Sequence, residues 1–243
     1  MEFKLLSTNG GKLSRKLHDI FLSEDNNLKK IFSNKLYKNS KITRCLIATY
    51  SPTLMNESFS NYQLEVDYYK KIIKNLTKKD YLIFISSQTL ELTNITYYSR
   101  AKYQIEQSLK ESKKNFTIIR PGMIFNSDTN KFTLKSMQNS TKSFFTFYQD
   151  IPKTTVCSIS DIYETILTVA SNYDLFKFKT INLGIKKYTF LELQNFAERK
   201  FRIAILPFCF LMIFSMLSVR LRAYVYGEAI ASSPLLAIKG SYD

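Results

Sequence analysis

The stretch Tyr81 to Ser87, which reads YLIFISS, decides the fold expected for this 243-residue chain. Its consecutive apolar residues, with two β-branched isoleucines among them, are typical of a strand that is buried on both faces. Strands of this kind belong to parallel sheets that helices cover on both sides. The two serines that end the stretch place hydroxyl groups where the strand leaves the sheet.

Segments typical of strands and of helices alternate on either side of this stretch. Short apolar or β-branched segments predict further strands at Phe3 to Ser7, Lys30 to Ser33, Ile42 to Thr49, Phe116 to Gly122 and Thr180 to Leu183. Apolar residues at helical spacing predict helices at Lys12 to Leu22, Tyr62 to Asn75, Tyr98 to Ser112, Asp161 to Ser171 and Phe190 to Lys200. This alternation predicts an α/β fold with a doubly wound parallel sheet and helices on both faces.

The loops that follow the carboxyl ends of parallel strands line one crevice, and ligands of such folds bind there. In this chain the loops are Ser7 to Gly11, Thr49 to Thr53, Ser86 to Gln88 and Arg120 to Phe125. We therefore expect the chemistry of the protein where these four loops meet.

Tyr98 and Lys102 are four residues apart on a predicted helix, so their side chains share one face. An ammonium close to a phenol favours the phenolate, which lets the tyrosine exchange a proton with a substrate hydroxyl nearer neutral pH. With 16 tyrosines and abundant lysine, such a pair also arises by chance on a surface helix. Its position after the serine strand and before Arg120-Pro121-Gly122 favours the catalytic interpretation.

Five segments, in matching order, resemble the extended short-chain dehydrogenase/reductase family. They are Ser86-Ser87, the Tyr98-x-x-x-Lys102 motif, Ile118 to Asn126 with its Arg-Pro-Gly, Val156 to Ile166 and Ile181 to Leu193. The resemblance implies a Rossmann-type NAD(P)-binding domain with interleaved substrate-region segments at residues 1–200, and a hydrophobic C-terminal helix and tail at 201–243. It also implies that Tyr98 is the acid/base, that Lys102 modulates it and reaches the cofactor ribose, and that Ser87 orients the substrate.

The resemblance implies a dinucleotide cofactor, which the family holds with a Gly-x-x-Gly-x-x-Gly turn after the first strand. Here Gly11 occupies one glycine position, Thr8 and Ser14 occupy the other two, and Gly10 lies beside Gly11. A threonine departs from the pattern because the tight turn favours a residue without a Cβ. The expected cofactor contacts are Thr8, Gly10, Gly11, Ser14, Lys35, Lys102 and Pro121.

Ser33-Asn34-Lys35 follows the second predicted strand, where an acidic residue would hold the ribose 2′-hydroxyl of NAD. A lysine suits a 2′-phosphate better, so NADP is slightly preferred over NAD. The alternative is that Lys35 only caps a surface turn.

The resemblance implies an NAD(P)-dependent epimerase or 4-keto reductase that acts on a nucleotide-activated sugar in surface polysaccharide biosynthesis. The expected substrate contacts are Ser87, Gln88 and Arg120. Gln88-Thr89-Leu90 replaces the acidic pair of the family's dehydratases, which disfavours dehydration. The alternative is a catalytically degenerate member that acts as a binding or partner protein, and the altered glycine turn favours it.

The formal net charge of +15 favours anionic partners, and the diphosphate of a nucleotide sugar would account for part of it. The lysines form scattered pairs without a basic block, so nucleic acid is not expected as a partner.

Cys45, Cys157 and Cys209 lie far apart in apolar runs, which predicts buried thiols. The single histidine, His18, is expected on a helix surface, and no metal site is expected.

Residues 203–219 form the longest apolar segment, and its length of about 17 residues is at the lower limit for a membrane span. A buried or interface-packing helix is favoured there, with membrane association as the alternative.

The N-terminal residues lack a signal-peptide pattern, so a cytoplasmic location is expected. The family often dimerises through the helix that carries the Tyr-Lys pair, so the resemblance also allows a homodimer.

Overall fold

A computed structural model describes residues 2–6, 12–23, 42–56, 58–88, 96–126, 131–132, 154–184 and 187–188. Its strands are β1 (Glu2–Leu6), β2 (Arg44–Ala48), β3 (Asp80–Ile85), β4 (Phe116–Pro121), β5 (Met123–Asn126), β6 (Lys131–Phe132), β7 (Thr154–Ser158), β8 (Thr180–Leu183) and β9 (Lys187–Tyr188). Its helices are α1 (Lys12–Ser23), α2 (Pro52–Met55), α3 (Phe59–Asn75), α4 (Tyr97–Glu111), α5 (Ile159–Ser171) and α6 (Tyr173–Phe176).

Five of these strands form one parallel sheet in the order β1-β2-β3-β4-β8. The central strand β3 pairs Leu82 with Leu46 of β2 and Ile83 with Thr117 of β4. Every residue of β3 is buried, which is the environment that the YLIFISS stretch predicts. The prediction of a parallel sheet of Rossmann type is therefore confirmed.

Each face of the main sheet carries its own apolar core, because successive side chains of a strand point to opposite faces. On one face, Ile47, Ile83 and Ile119 pack with apolar residues of α1 and α5. On the other face, Phe84 and Ile118 pack with apolar residues of α3 and α4. Helices therefore cover both faces of the sheet, as predicted.

Polar caps set the first residues of two helices, which therefore begin earlier than the hydrophobic pattern predicts. α3 begins at Phe59, because the side chain of Ser58 accepts a hydrogen bond from a backbone N–H of the first turn. α5 begins at Ile159, where Ser158 and Asp161 form a capping box.

A second, smaller sheet has the order β6-β5-β7-β9 and contains both parallel and antiparallel pairs. This sheet was not predicted from the sequence, because β6 and β9 have only two residues each and β5 and β7 mix apolar with polar side chains in no clear period. Only Gly122 separates β5 from β4. The second sheet therefore begins at the carboxyl edge of the main sheet.

Several sequence predictions fall beyond the described part of the chain. The strand Lys30 to Ser33, the helix Phe190 to Lys200 and the apolar segment 203–219 all lie outside it. Within the described residues, no helix combines the length and the apolar character needed to cross a membrane.

The cysteines and the histidine that the structure describes have the environments predicted for them. Cys45 and Cys157 are buried free thiols, and burial raises the pKa of both, to about 12 for Cys157. Cys209 lies outside the described residues. His18 is exposed on α1. Among the described residues, no group of His, Cys, Asp and Glu side chains could hold a metal ion.

Asp80 anchors the first residue of β3. Its carboxylate accepts a hydrogen bond from Nε of Arg44 at 2.8 Å and two from N and Oγ1 of Thr77, each at 2.8 Å. Burial raises the pKa of Asp80, but the hydrogen bonds from Arg44 and Thr77 outweigh this effect and hold the pKa below its usual range. A carboxyl with a depressed pKa stabilises the fold above its unfolded-state pKa of about 4, and this stability is lost as the pH falls through the folded pKa.

We therefore expect Asp80→Asn to lower the free energy of unfolding at pH 7. The difference from wild type should shrink as the pH falls below about 4, because the carboxyl of the unfolded wild-type chain is protonated there first, and the folded one follows as the pH passes its lower pKa. Urea unfolding of both proteins between pH 7 and pH 3 measures this difference. A difference that stays constant over the whole range would show that ionisation of Asp80 does not contribute to stability.

Candidate functional site

The carboxyl ends of β2, β3 and β4 meet at one edge of the main sheet, as the sequence predicts for three of the four loops. Ser86 and Ser87 follow β3 and are buried. The backbone N–H of Ser86 donates to the carbonyl of Ile119 on β4 at 2.7 Å, so the strand pairing extends to the serine pair. The fourth predicted loop, Ser7 to Gly11, lies outside the described residues.

A capping box fixes the beginning of α4 and with it the position of Tyr98. The hydroxyl of Thr96 accepts from the backbone N–H of Ser99 at 3.1 Å, and the hydroxyl of Ser99 accepts from the N–H of Thr96 at 3.2 Å. Tyr98 consequently lies in the first turn, where the helix dipole has its positive end.

The ammonium of Lys102 lies among protein groups beside Tyr98. Nζ is 3.1 Å from Oε1 of Glu65 and donates to the carbonyl of Ile85 at 3.4 Å. It also lies over the rings of Phe84 and Tyr98, at 4.9 and 5.7 Å from their centroids. The side chain is only 2% exposed, so its electrostatic interactions are stronger than they would be in water. The predicted pair of Tyr98 and Lys102 therefore lies together at the carboxyl end of β3.

Glu65 on α3 is a partner of Lys102 that the sequence analysis missed. Its side chain is 0% exposed, and Oε2 accepts hydrogen bonds from Oγ of Ser51 at 3.1 Å, from N of Thr53 at 3.3 Å and from Oγ1 of Thr53. Oε1 faces the ammonium and accepts no hydrogen bond from the described residues, so this contact is an ion pair. The sequence does contain a sign that Glu65 is buried. It lies four residues before Tyr69, so both side chains lie on the buried face of α3.

Arg120, a predicted substrate contact, forms a bidentate ion pair with Glu106 of α4, which the sequence analysis also missed. Nε and Nη2 of Arg120 lie 2.9 and 2.7 Å from Oε1 and Oε2 of Glu106. Oγ of Ser86 donates to Oε1 at 2.6 Å, so the carboxylate joins α4 to the ends of β3 and β4. Glu106 is 0% exposed. It lies four residues after the buried Lys102, on the same helix face.

Gln88, the other predicted substrate contact beside Ser87, joins the two sheets through its side-chain amide. Nε2 donates to the carbonyl of Leu183 on β8 at 2.6 Å, with a longer contact of 3.4 Å to the carbonyl of Gly184. Oε1 accepts a hydrogen bond from Oγ1 of Thr155 on β7. Ser87 therefore precedes a residue that is held by both sheets.

The glycines of two of the family-like segments, Gly122 in Ile118 to Asn126 and Gly184 in Ile181 to Leu193, lie where β7 passes close to the main sheet. A Cβ at Gly122 would lie 2.6 Å from the carbonyl oxygen of Thr155, and one at Gly184 would lie 2.6 Å from that of Val156. Gly184 also has a φ of +88°, which favours glycine. The two segments therefore have a steric reason for their glycines.

Ser14 is the member of the predicted glycine turn that the structure describes. It is buried on α1, and its hydroxyl lies 2.6 Å from Oγ1 of Thr49 at the end of β2. Its small side chain lets α1 pack closely on the sheet, which is the role of the third glycine in dinucleotide-binding folds. Pro121 is buried at the end of β4. The predicted cofactor contacts outside the described residues are Thr8, Gly10, Gly11 and Lys35.

Comparison with solved structures shows which proteins share this architecture. A UDP-glucose 4-epimerase from Thermotoga maritima, solved with UDP-glucose, has a TM-score of 0.57 and 12% sequence identity over 85% of this chain and 86% of its own. A UDP-glucuronic acid 4-epimerase from Bacillus cereus, solved with UDP-glucuronic acid and NAD, has a TM-score of 0.58 and 11% identity over 85% and 86% of the two chains. A dTDP-4-dehydrorhamnose reductase from Clostridium acetobutylicum has a TM-score of 0.57 and 15% identity over 85% and 84%.

Neither a protein-family model nor a curated protein sequence matches the chain. At identities this low, the structural likeness establishes the fold. The main sheet, its two helical layers and the serine strand agree with the architecture that the sequence resemblance implies. The chain therefore has a Rossmann-like α/β fold, which it shares with these nucleotide-sugar epimerases and reductases.

Proposed function

We propose that this protein is an NAD(P)-dependent epimerase or 4-keto reductase that acts on a nucleotide-activated sugar. The observation that carries the proposal is the proximity of Tyr98 and Lys102 to the end of β3. Nζ of Lys102 lies 5.7 Å from the centroid of the Tyr98 ring and 3.4 Å from the carbonyl oxygen of Ile85, two residues before Ser87. A phenol, an ammonium and a hydroxyl in this arrangement suit proton transfer to and from a sugar hydroxyl.

Tyr98 is the general acid and base of the proposed reaction. Its Oη takes the proton of a sugar hydroxyl when that carbon is oxidised, and returns the proton when the carbonyl is reduced. The ammonium of Lys102 and the positive end of the α4 dipole stabilise the phenolate between these steps. The hydroxyl of Ser87 donates to the sugar oxygen and orients it toward Tyr98.

A bound nicotinamide dinucleotide supplies the acceptor and donor of the hydride. The close packing of Ser14 on Thr49 fits such a cofactor, since dinucleotide-binding folds require the first helix to approach the sheet closely. The residues proposed to hold the cofactor are Thr8, Gly10, Gly11, Ser14, Lys35, Lys102 and Pro121. Lys35 is assigned to the 2′-phosphate of NADP, whereas the Bacillus cereus epimerase was solved with NAD, so both cofactors require testing.

The residues proposed for the substrate side are Ser87, Gln88 and Arg120. The bonds of Gln88 to β7 and β8, and of Arg120 to Glu106, hold both side chains at the edge from which Ser87 emerges. A sugar attached to a nucleoside diphosphate is an anion, and the net charge of +15 favours its association with the protein.

Titration with NADPH and with NADH, followed by nicotinamide fluorescence, is expected to show saturable binding in the micromolar range. Lys102→Met should weaken this binding by about 10- to 100-fold, because the ribose loses a hydrogen bond to a charged group. The matched control is Lys110→Met, whose lysine is exposed on the same helix and should leave binding unchanged. Ser87→Ala should also leave cofactor binding unchanged, since its hydroxyl is assigned to the sugar.

Because Lys102→Met leaves the buried Glu65 without its cation, the circular dichroism of this variant is compared with that of wild type first. Saturable binding that depends on Lys102 would support the proposal, and turnover of nucleotide sugars would then be measured. If a folded wild-type protein binds neither cofactor, the proposal is wrong and the alternative of a binding or partner protein is favoured.

A further inference from the structure

The buried ion pair between Glu65 and Lys102 has no role in the sequence-based assignment of the site. The two side chains are 0% and 2% exposed, and their charged atoms lie 3.1 Å apart. A buried ion pair rarely stabilises a fold more than two apolar side chains of similar volume would, because both charges lose their hydration. Stability alone therefore gives a weak reason for this pair.

The carboxylate of Glu65 is held in one orientation. Its Oε2 accepts hydrogen bonds from the side chain of Ser51 and from the backbone and side chain of Thr53, all in the segment that follows β2. These bonds turn Oε1 toward Nζ of Lys102. The segment after β2, α3 and α4 are thereby joined through a single carboxylate.

Several described groups face the ammonium of Lys102, and Glu65 is the one that supplies a carboxylate. The others are the ring of Tyr69 from α3, the ring of Tyr98 from α4, and the ring of Phe84 with the Ile85 carbonyl from β3. The hydroxyl of Tyr69 donates to a backbone carbonyl at 2.9 Å, and burial raises its pKa well above the usual value, so it stays neutral. Glu65 therefore supplies the negative charge that compensates the ammonium.

We propose that Glu65 is a positioning residue for the chemistry of Tyr98: its carboxylate fixes Nζ of Lys102 beside the Tyr98 ring. This inference rests on the function proposed above. Without the carboxylate, Nζ is no longer held at this place, and an ammonium stabilises a phenolate only when the two groups are close together. Glu65 thus acts on the reaction through Lys102, without contact with the substrate.

The test is the pH dependence of kcat for Glu65→Gln, a variant that keeps the size of the side chain and an oxygen for Thr53. The acid limb of the profile is expected to move to higher pH by about 1 to 2 units, because an ammonium that is no longer held beside the ring stabilises the phenolate less. Glu111→Gln, at an exposed position on α4, is the matched control and should leave the profile in place.

A double-variant comparison separates positioning from a general structural effect. In a Lys102→Met background, Glu65→Gln should cause no further loss of kcat, because the group through which it acts is gone. Independent, multiplying losses would overturn the proposal. An acid limb that moves to lower pH in Glu65→Gln would also overturn it, since the ammonium would then have kept its place beside the phenol without the carboxylate.

A milder variant covers the case in which Glu65→Gln does not fold. Thr53→Val removes one hydroxyl that orients the carboxylate and leaves both charges in place, so a smaller shift in the same direction is expected. An unmoved profile in Thr53→Val would then overturn the role of Glu65. A wild-type protein with turnover but no response to these changes refutes this inference alone, whereas a wild type without turnover refutes the proposed function as well.

Discussion

Replacing Tyr98 with phenylalanine is expected to lower kcat by about 10²- to 10⁴-fold, the range associated with loss of a general acid and base. The change removes only the phenol oxygen, so the ring over which Lys102 lies is retained. Binding of the cofactor should therefore stay close to wild type while turnover of the nucleotide sugar is lost. Both quantities are measured on one preparation, by nicotinamide fluorescence and by the conversion of the sugar.

Tyr97→Phe is the control for this experiment, because Tyr97 is the adjacent tyrosine in the same helical turn and is likewise half-buried. It should retain turnover. Equal losses in both variants would indicate a general disturbance of the first turn of α4. Turnover that survives in Tyr98→Phe would show that another group transfers the proton, and the assignment of Tyr98 would be wrong.

Replacing Arg120 with methionine is expected to lower the free energy of unfolding by about 3 to 5 kcal/mol, the cost of leaving one member of a buried ion pair uncompensated. The carboxylate of Glu106 would lose both of its bonds to the guanidinium and keep the hydrogen bond from Ser86. Urea unfolding at pH 7, analysed as a two-state transition, measures the loss.

Lys110→Met is the matched control, because Lys110 is the other cation near Glu106, at 3.9 Å and 44% exposed. Because the ammonium of Lys110 is exposed and screened by water, this contact should contribute less than about 1 kcal/mol. Glu106→Gln combined with Arg120→Met should recover part of the stability, since no buried charge is then left alone. If Arg120→Met is no more harmful than Lys110→Met, the bidentate pair does not hold α4 on the sheet.

Much of the fold could be predicted from the sequence, because its main signals are local. The run of apolar residues at Tyr81 to Ser87 specifies a strand buried on both faces, and that environment is observed. The four-residue spacing of Tyr98 and Lys102 likewise depends only on helix geometry. The glycines at Gly122 and Gly184 were recognised as parts of family-like segments, and their close contact with β7 gives the physical reason.

The partners of the charged residues could not be predicted in the same way, because ion pairs join segments that are distant in sequence. Glu65 meets Lys102 across two helices, and Glu106 meets Arg120 across a helix and a strand. A carboxylate on an apolar helix face indicates that some partner exists, and it does not indicate which one. Arg120 was therefore assigned to the substrate alone, and its bond to Glu106 was missed.

The helix α4 carries Lys102 and Glu106 one turn apart on its buried face, and each finds its opposite charge on a different element. An apolar stripe by itself specifies loosely how a helix is rotated about its axis, because neighbouring apolar residues can exchange places at modest cost. Turning α4 by one residue, about 100°, would withdraw both charges from their partners at once. The two ion pairs together therefore fix the rotation of α4 about its axis. This rotation also sets the direction of the Tyr98 ring.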